Sequence, residues 1–236
     1  MDIKFTGERL ILGKSPKRIE SDHLERYLFA TKYCFNKNVL DIACGSGYGS
    51  SILINAGAKS VVGIDNSIEI INYAKNSYSN LRDLDFICAD IQHIQLLEYS
   101  NYFDLIVCFE TIEHVSEYQN VIENLDLMLN AHGTLLISTP DRRLVSPSST
   151  SIKSEPVNRF HKQEFIPDEF KIILEKAGFK LNHNVFGQRI LPFTKNCNSL
   201  LFSLVILFMN PKYFSSPKVK PLYNQIARYN LFVCTK

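Results

Sequence analysis

Between residues 109 and 114 the chain reads Phe-Glu-Thr-Ile-Glu-His, which crowds Glu110, Glu113 and His114 into one short segment. If the segment turns helically, the three fall at i, i+3 and i+4 and share one face. A histidine, with an unperturbed pKa of roughly 6.5, is the natural general base for taking a proton from a hydroxyl near neutral pH. His114 is therefore the candidate base, and Glu110 or Glu113 can orient its ring. Joined by His161, from Asn158-Arg-Phe-His161, the same groups form a mixed oxygen and nitrogen donor set for a divalent metal. Imidazole donors suit manganese or iron better than magnesium. A third reading is structural, with Glu113 and His114 only bracing a loop.

A second constellation lies upstream. Asp41-Ile-Ala-Cys-Gly45-Ser-Gly47-Tyr-Gly49 follows a short apolar run. Its glycines permit a tight turn and close approach of backbone to a ligand, and the amides opening the next helix face that ligand. The spacing is G-x-G-x-G, not the G-x-G-x-x-G of dinucleotide binders, and suits an amino-acid-like group rather than a pyrophosphate. Asp65 ends the next apolar run, where a carboxylate can accept both ribose hydroxyls. Asp90 ends the one after and can accept an adenine amino group, with Ile91 offering a backbone amide and apolar contact. Ligands of open α/β sheets bind at the C-terminal ends of the strands, where all of these residues fall.

The elements that must position them alternate along the chain. Apolar runs at 38–43, 60–65, 84–89, 103–109 and 133–139 read as strands covered on both faces. Cys88 and Cys108 lie inside two of them. Ser21 caps a helix running to about Phe35, with Leu24, Tyr27 and Leu28 on its core face. Ser67 caps the helix behind the second strand, which makes a capping role for Asp65 redundant. Ser116-Glu-Tyr-Gln119 has the capping-box spacing and opens a helix with Val121, Leu125, Met128 and Leu129 inward. Residues 142–156, rich in serine and proline, read as a mobile loop, and 167–177 as a helix stopped by Gly178. Strands near 180–186 and 230–235 close the sheet. The expected fold is a doubly wound α/β domain over residues 1–236, with a seven-stranded, mostly parallel sheet. Its last strand is antiparallel, with a helical insertion before it.

The chain resembles class I S-adenosylmethionine methyltransferases over roughly residues 39–179. VLDIACGSGYG, VVGID and FICADI match their first three motifs. Within that superfamily it is most similar to bacterial methyltransferases of sugar and glycan biosynthesis, through FTGERL, HLERYLFA, FETIEHV, STP, NRFHKQEF and EKAGF. The resemblance implies S-adenosylmethionine as cofactor, bound by Tyr27, Asp41, Gly45, Gly47, Asp65, Asp90 and Ile91, with Tyr27 and Gly45 flanking its methionine end. It implies O-methylation of a sugar hydroxyl on a small-molecule or glycan acceptor; N-methylation of an amino sugar is the alternative. Metal-dependent 2′-O-methylation of an RNA 3′ end is a further one, since those enzymes have a similar Glu-x-x-Glu-His and a later histidine. They often carry a second histidine where this chain has Val115.

Composition bounds the partners. Lysine and arginine (26) nearly balance aspartate and glutamate (24), a net charge of +2 that gives no general nucleic-acid surface. The six cysteines contain no C-x-x-C pair and suit a reducing, cytoplasmic compartment. Residues 1–35 read as an N-terminal lid and helix, with Glu8 and Arg9 over the cofactor. The stretch 187–228 matches no motif and reads as an insertion. Its apolar run, Leu200 to Met209, followed by Lys212, Lys218 and Lys220, offers a buried helix, a homodimer face or peripheral membrane contact through 200–220. His23, His93, His132 and His183 have no partners at ligand spacing.

Overall fold

Strand residues alternate between the two faces of a sheet, and here both faces are covered. Leu40, Ile42, Ile106, Cys108 and Ile137 pack on one side with Val121, Leu125, Phe170 and Leu174. Val39, Val61, Leu105, Val107 and Leu136 pack on the other with Tyr27, Ala30 and Leu53. The computed structural model describes residues 10–93, 99–194, 216–223 and 225–236. The chain runs α1 (Lys17–Cys34), β1 (Asn38–Ile42), α2 (Tyr48–Asn55), β2 (Ser60–Asp65), α3 (Ile68–Ser77), β3 (Leu84–Cys88) and β4 (Phe103–Phe109). It continues with α4 (Tyr118–Met128), β5 (Leu129–Pro140), α5 (Arg142–Val145), α6 (Pro167–Lys176), β6 (Lys180–Thr194), β7 (Lys220–Pro221) and β8 (Gln225–Thr235).

The sheet order is β3-β2-β1-β4-β5-β8-β6-β7. The first five strands pair in parallel, and β8 pairs antiparallel with both β5 and β6. This is the doubly wound sheet expected from the sequence, with the two-residue β7 added at its edge. Because β1 lies between β2 and β4, the chain leaves β1 in opposite directions for its two neighbours. That reversal opens a crevice above the C-terminal ends of these strands. No described helix is long and apolar enough to cross a membrane.

Several local expectations change. Helix α1 begins at Lys17 after Pro16, so Ser21 lies inside it and donates to the Arg18 carbonyl instead of capping. Leu28 is exposed, and the buried face is Asp22, Arg26, Tyr27, Phe29, Ala30 and Cys34. Ser67 stands at the α3 N-cap without a side-chain capping bond. No capping box forms at Ser116: α4 starts at Tyr118, and the Gln92 side chain accepts from the Ser116 and Glu117 amides. Cys88 is exposed because β3 is an edge strand, whereas Cys108 in central β4 is buried.

The start of the segment after β5 is held by ion pairs. Arg142, buried, donates to both oxygens of Glu169 at 2.8 Å and to the Glu164 carbonyl at 2.9 Å. Asp141 caps the short α5 through the Arg143 amide and pairs with the Arg143 side chain. Both ends of the 187–228 stretch are strand, since β6 runs on to Thr194 and β8 begins at Gln225. Glu8, Arg9 and the run 200–209 lie outside the described residues.

Candidate active site

The glycine turn joins β1 to α2 in left-handed backbone: Ala43 has φ 55°, Gly45 φ 54° and Gly47 φ 81°. The three glycines of the motif serve different ends. A Cβ on Gly45 would meet nothing within 4 Å, so this backbone faces open space where a ligand can come close. One on Gly47 would lie 2.7 Å from the Phe86 ring, and one on Gly49 2.0 Å from Cζ of Tyr27. Gly49 is therefore a packing glycine that admits Tyr27. Ala43 holds a conformation that costs a non-glycine residue roughly 1 kcal/mol.

Tyr27 reaches across from α1. Its hydroxyl donates to Oδ1 of Asp41 at 2.9 Å, and Ser50 donates to Oδ2 at 2.6 Å. Asp41 is wholly buried beneath the turn. Burial pushes its carboxyl up to about 7; the Ser50 and Tyr27 bonds oppose that rise, and the Asp65 charge adds to it. Asp41 and Tyr27 thus hold the turn and the α1 wall together.

Asp65 ends β2 and accepts from the Gly45 amide at 3.2 Å and the Ser67 amide at 3.0 Å. Its bond to the Ser67 amide fixes the backbone that leads into α3. Asp90, after β3, accepts from the Gln92 amide at 2.9 Å, closing a tight turn. Gln92 also ties this turn to the start of α4, and the Ile91 carbonyl accepts from Asn124. Gly45, Asp65, Asp90 and Ile91 all border one cavity of about 300 Å³, with Tyr27, Glu110 and His114 on its other walls.

The Glu110–His114 segment is a turn rather than a helix, so the shared face does not form. Glu110 has φ 49°, a strained conformation of the kind that collects at functional sites. Ser138 on β5 donates to its carboxylate at 2.7 Å. Glu113 turns inward, is buried, and accepts from Thr139 at 3.2 Å. Burial holds its carboxyl well above the usual range, and the Glu110 charge adds to this. Its carbonyl accepts from Lys162 and Gln163, bringing the 158–164 loop over the site. His114 Nδ1 lies 3.1 Å from the Phe160 carbonyl, and the His114 and His161 rings meet edge to face at 4.8 Å. His161 Nδ1 is 2.6 Å from Oε1 of Glu164. Among the described residues, Glu113, His114 and His161 each offer a donor atom within 4.8 Å of the others. Glu110, whose Oε1 accepts from Ser138, is not in that group.

Four participants were not legible as such. His23 lines the cavity, and its Nδ1 meets the Tyr48 hydroxyl at 3.2 Å. Ser138, Gln92 and Glu164 position the groups named above. Contacts of this kind join residues far apart in sequence, and only the STP motif hinted at one. His183 lies where side chains are outside the described set.

A parallel sheet with a glycine turn, two strand-end acids and a cavity at the strand reversal defines a nucleotide-cofactor α/β enzyme. Residues 35–178 match the family profile described as "Methyltransferase domain". The chain belongs to that family, within the class I S-adenosylmethionine-dependent methyltransferase families. It is 28% identical over 183 residues to a protein of Mycolicibacterium smegmatis named as a probable S-adenosylmethionine-dependent methyltransferase, covering 76% of this chain and 66% of that one. It is 32% identical over 153 residues to the ubiquinone biosynthesis O-methyltransferase of Coxiella burnetii, covering 61% of this chain and 64% of the relative. The chain thus spans just under two thirds of the length of each of these relatives. Among solved structures it is similar to a SAM-dependent methyltransferase from Aquifex aeolicus, with TM-score 0.59 and 18% identity over 94% of both chains. The residues present fit the cofactor: Gly45 leaves space for it, and the Asp65 and Asp90 carboxylates stand at the strand ends that border the cavity.

Proposed function

We propose that the protein methylates a hydroxyl oxygen, with His114 as general base, and that the acceptor is a sugar hydroxyl of a nucleotide- or lipid-linked glycan. The observation that carries the oxygen chemistry is the contact between His114 and Phe160. A carbonyl can only accept, so Nδ1 carries the proton, and a neutral ring keeps its lone pair on Nε2. S-adenosylmethionine, when bound, supplies an electrophilic methyl group on sulfur. His114, at the cavity wall beside Glu110, takes the proton that the attacking hydroxyl gives up. Glu110, held by Ser138, adds negative charge that favours the imidazolium so formed. The Coxiella relative's name, an O-methyltransferase, supports an oxygen acceptor. The FTGERL and FETIEHV segments support a sugar.

The test is methyl transfer by the full chain to separate pools of nucleotide sugars, lipid-linked glycans, amino sugars and RNA. Transfer to the sugar pools that falls roughly 10²-fold or more in His114→Ala, with S-adenosylhomocysteine affinity kept, supports the reading. Transfer confined to amino sugars or RNA, or full turnover by His114→Ala, rejects it.

A second reading places a divalent metal on Glu113, His114 and His161. It is favoured by the His161–Glu164 contact, since metal-binding histidines commonly give their other nitrogen to a carboxylate. A metal there would polarise an acceptor hydroxyl.

A further inference from the structure

Gln92 follows β3, the edge strand, yet its side chain reaches the segment after β4, with β2 and β1 lying between those two strands. Its Oε1 accepts from the Ser116 amide at 2.8 Å and the Glu117 amide at 3.1 Å. Its Nε2 lies 3.3 Å from Oδ1 and 3.4 Å from Oδ2 of Asp90, and Oδ1 also accepts from the Gln92 amide at 2.9 Å. The partners dictate which end of the side chain faces which way, since backbone amides only donate and a carboxylate only accepts. A glutamate could serve only the first pair, and a lysine only the second. The same turn meets α4 again where Asn124 donates to the Ile91 carbonyl at 2.9 Å.

The segment gripped in this way carries His114. Inside it, the His114 amide donates to the Thr111 carbonyl at 2.9 Å. From the other side Gln163, buried, donates through Nε2 to the Ile112 and Val115 carbonyls at 2.7 and 2.8 Å. Gln163 belongs to the loop whose Phe160 carbonyl meets the His114 ring. Two glutamines therefore fix the His114 turn, one from that loop and one from the strand-end turn at Asp90. Asp90, Ile91, Gln92, His114 and Val115 all border the cavity, whereas Ser116 and Glu117 are not among its lining residues.

We infer that Gln92 is a positioning residue that couples the two ends of the cavity. An adenine group bound at Asp90 fixes the Gln92 amide, and Gln92 fixes the turn that bears His114. Oδ2 of Asp90 meets only the long Nε2 contact among the described residues, which leaves that oxygen able to accept from an adenine amino group. A carboxylate pinned by such a donor holds the amide plane of Gln92 with it. Ordering at one site is then passed to the other with no change of shape, and the cofactor readies the wall at which the proposed acceptor hydroxyl reacts. The inference rests on the cofactor's adenine lying at Asp90, but not on the identity of the base.

Amide exchange at Ser116 and Glu117 in the full chain, with and without saturating 5′-methylthioadenosine, tests it. This probe carries the adenine but no methionine carboxylate, and neither amide borders the cavity. The probe should slow both amides in the parent roughly fivefold or more, the worth of one neutral hydrogen bond in an opening equilibrium. Gln92→Met keeps the length and loses both sets of bonds, so at saturation the probe should leave exchange of the two amides unchanged. A purely structural Gln92 would make both amides exchange faster in the variant yet keep the slowing by the probe, and that result overturns the inference. So does exchange in the parent that the probe does not alter. Absence of probe binding by the parent, or an affinity unchanged in Asp90→Ala, would instead remove the adenine placement beneath it. Should Gln92→Met not fold, Gln92→Glu gives the same comparison. It keeps an acceptor for the two amides, loses the donor to Asp90, and should likewise uncouple their exchange from the probe.

Discussion

Tyr27 and Asp41 meet under the glycine turn, the phenol donating to the carboxylate at 2.9 Å with both groups buried. Asp41 stands at about 7 in the folded chain against an ordinary 3.8, chiefly through burial. Its neutral form is therefore preferred in the native state. The associated stability is fully present below the unfolded value and is lost as pH rises towards 7, with a slope of at most about 1.4 kcal/mol per pH unit. Asp41→Asn keeps an acceptor for Tyr27 and removes the titration. Urea midpoints of the variant should fall less between pH 4 and 7 than those of the parent. Parallel profiles would show that Asp41 does not titrate in this window.

Glycines 45 and 49 should separate binding from folding. Gly49→Ala forces a Cβ to 2.0 Å from Tyr27, and the ring cannot retreat without surrendering its bond to Asp41. Overpacking of this kind costs about 1–3 kcal/mol, so the melting temperature should fall by several degrees. At Gly45 there is no clash, only a left-handed φ of 54°, which costs roughly 1 kcal/mol. The added methyl instead enters the ligand's space, so Gly45→Ala should lose cofactor affinity by calorimetry while melting close to the parent. The opposite ranking of the two variants would refute the division of roles.

The strands, and the placement of Asp65 and Asp90 at their ends beside the cavity, were legible because their signals are local: apolar runs of strand length, each followed by an acid. The Glu110–His114 geometry was not, because spacing alone cannot tell a helix from a turn. What decides it is the left-handed φ at Glu110 and the bond from Ser138, which lies on a different strand. Capping failed for the same reason. At Ser116 the amides that a local capping box would engage go instead to Gln92, from the turn after β3, and α4 starts two residues later. The 142–156 stretch looked polar and loose, but Arg142 at its start pairs with Glu169 on α6, 27 residues further along the chain.

That pairing makes a third prediction. Arg142 holds Glu169 with two bonds and also the carbonyl of Glu164, whose side chain holds His161. Arg142→Ala strands Glu169 and releases the loop. Because Glu169 keeps about a third of its side-chain surface in water, the cost should be about 2 kcal/mol, below that of a fully buried pair. Turnover should fall more steeply than stability, as the loop carrying His161 loosens. Unchanged kcat with a lowered Tm would confine Arg142 to folding.

The metal reading makes the sharpest demand on the site. Both imidazoles have Nδ1 engaged, His114 by Phe160 and His161 by Glu164, so in each neutral ring the lone pair is on Nε2. Glu113 lies within the same 4.8 Å group. Imidazole donors favour transition ions, and Co²⁺ reports its own coordination by its visible absorption. Titration of the full chain with Co²⁺ should produce those bands and raise the melting temperature. His161→Ala should abolish both effects. Glu164→Gln, which leaves the ligands in place, should weaken binding by about 10- to 100-fold, the usual worth of such a supporting carboxylate. Glu110→Gln should leave the spectrum unaltered, because that carboxylate is held by Ser138 outside the donor group. If millimolar Co²⁺ gives no bands and a chelator leaves methyl transfer unaffected, the two histidines serve proton transfer and loop packing alone.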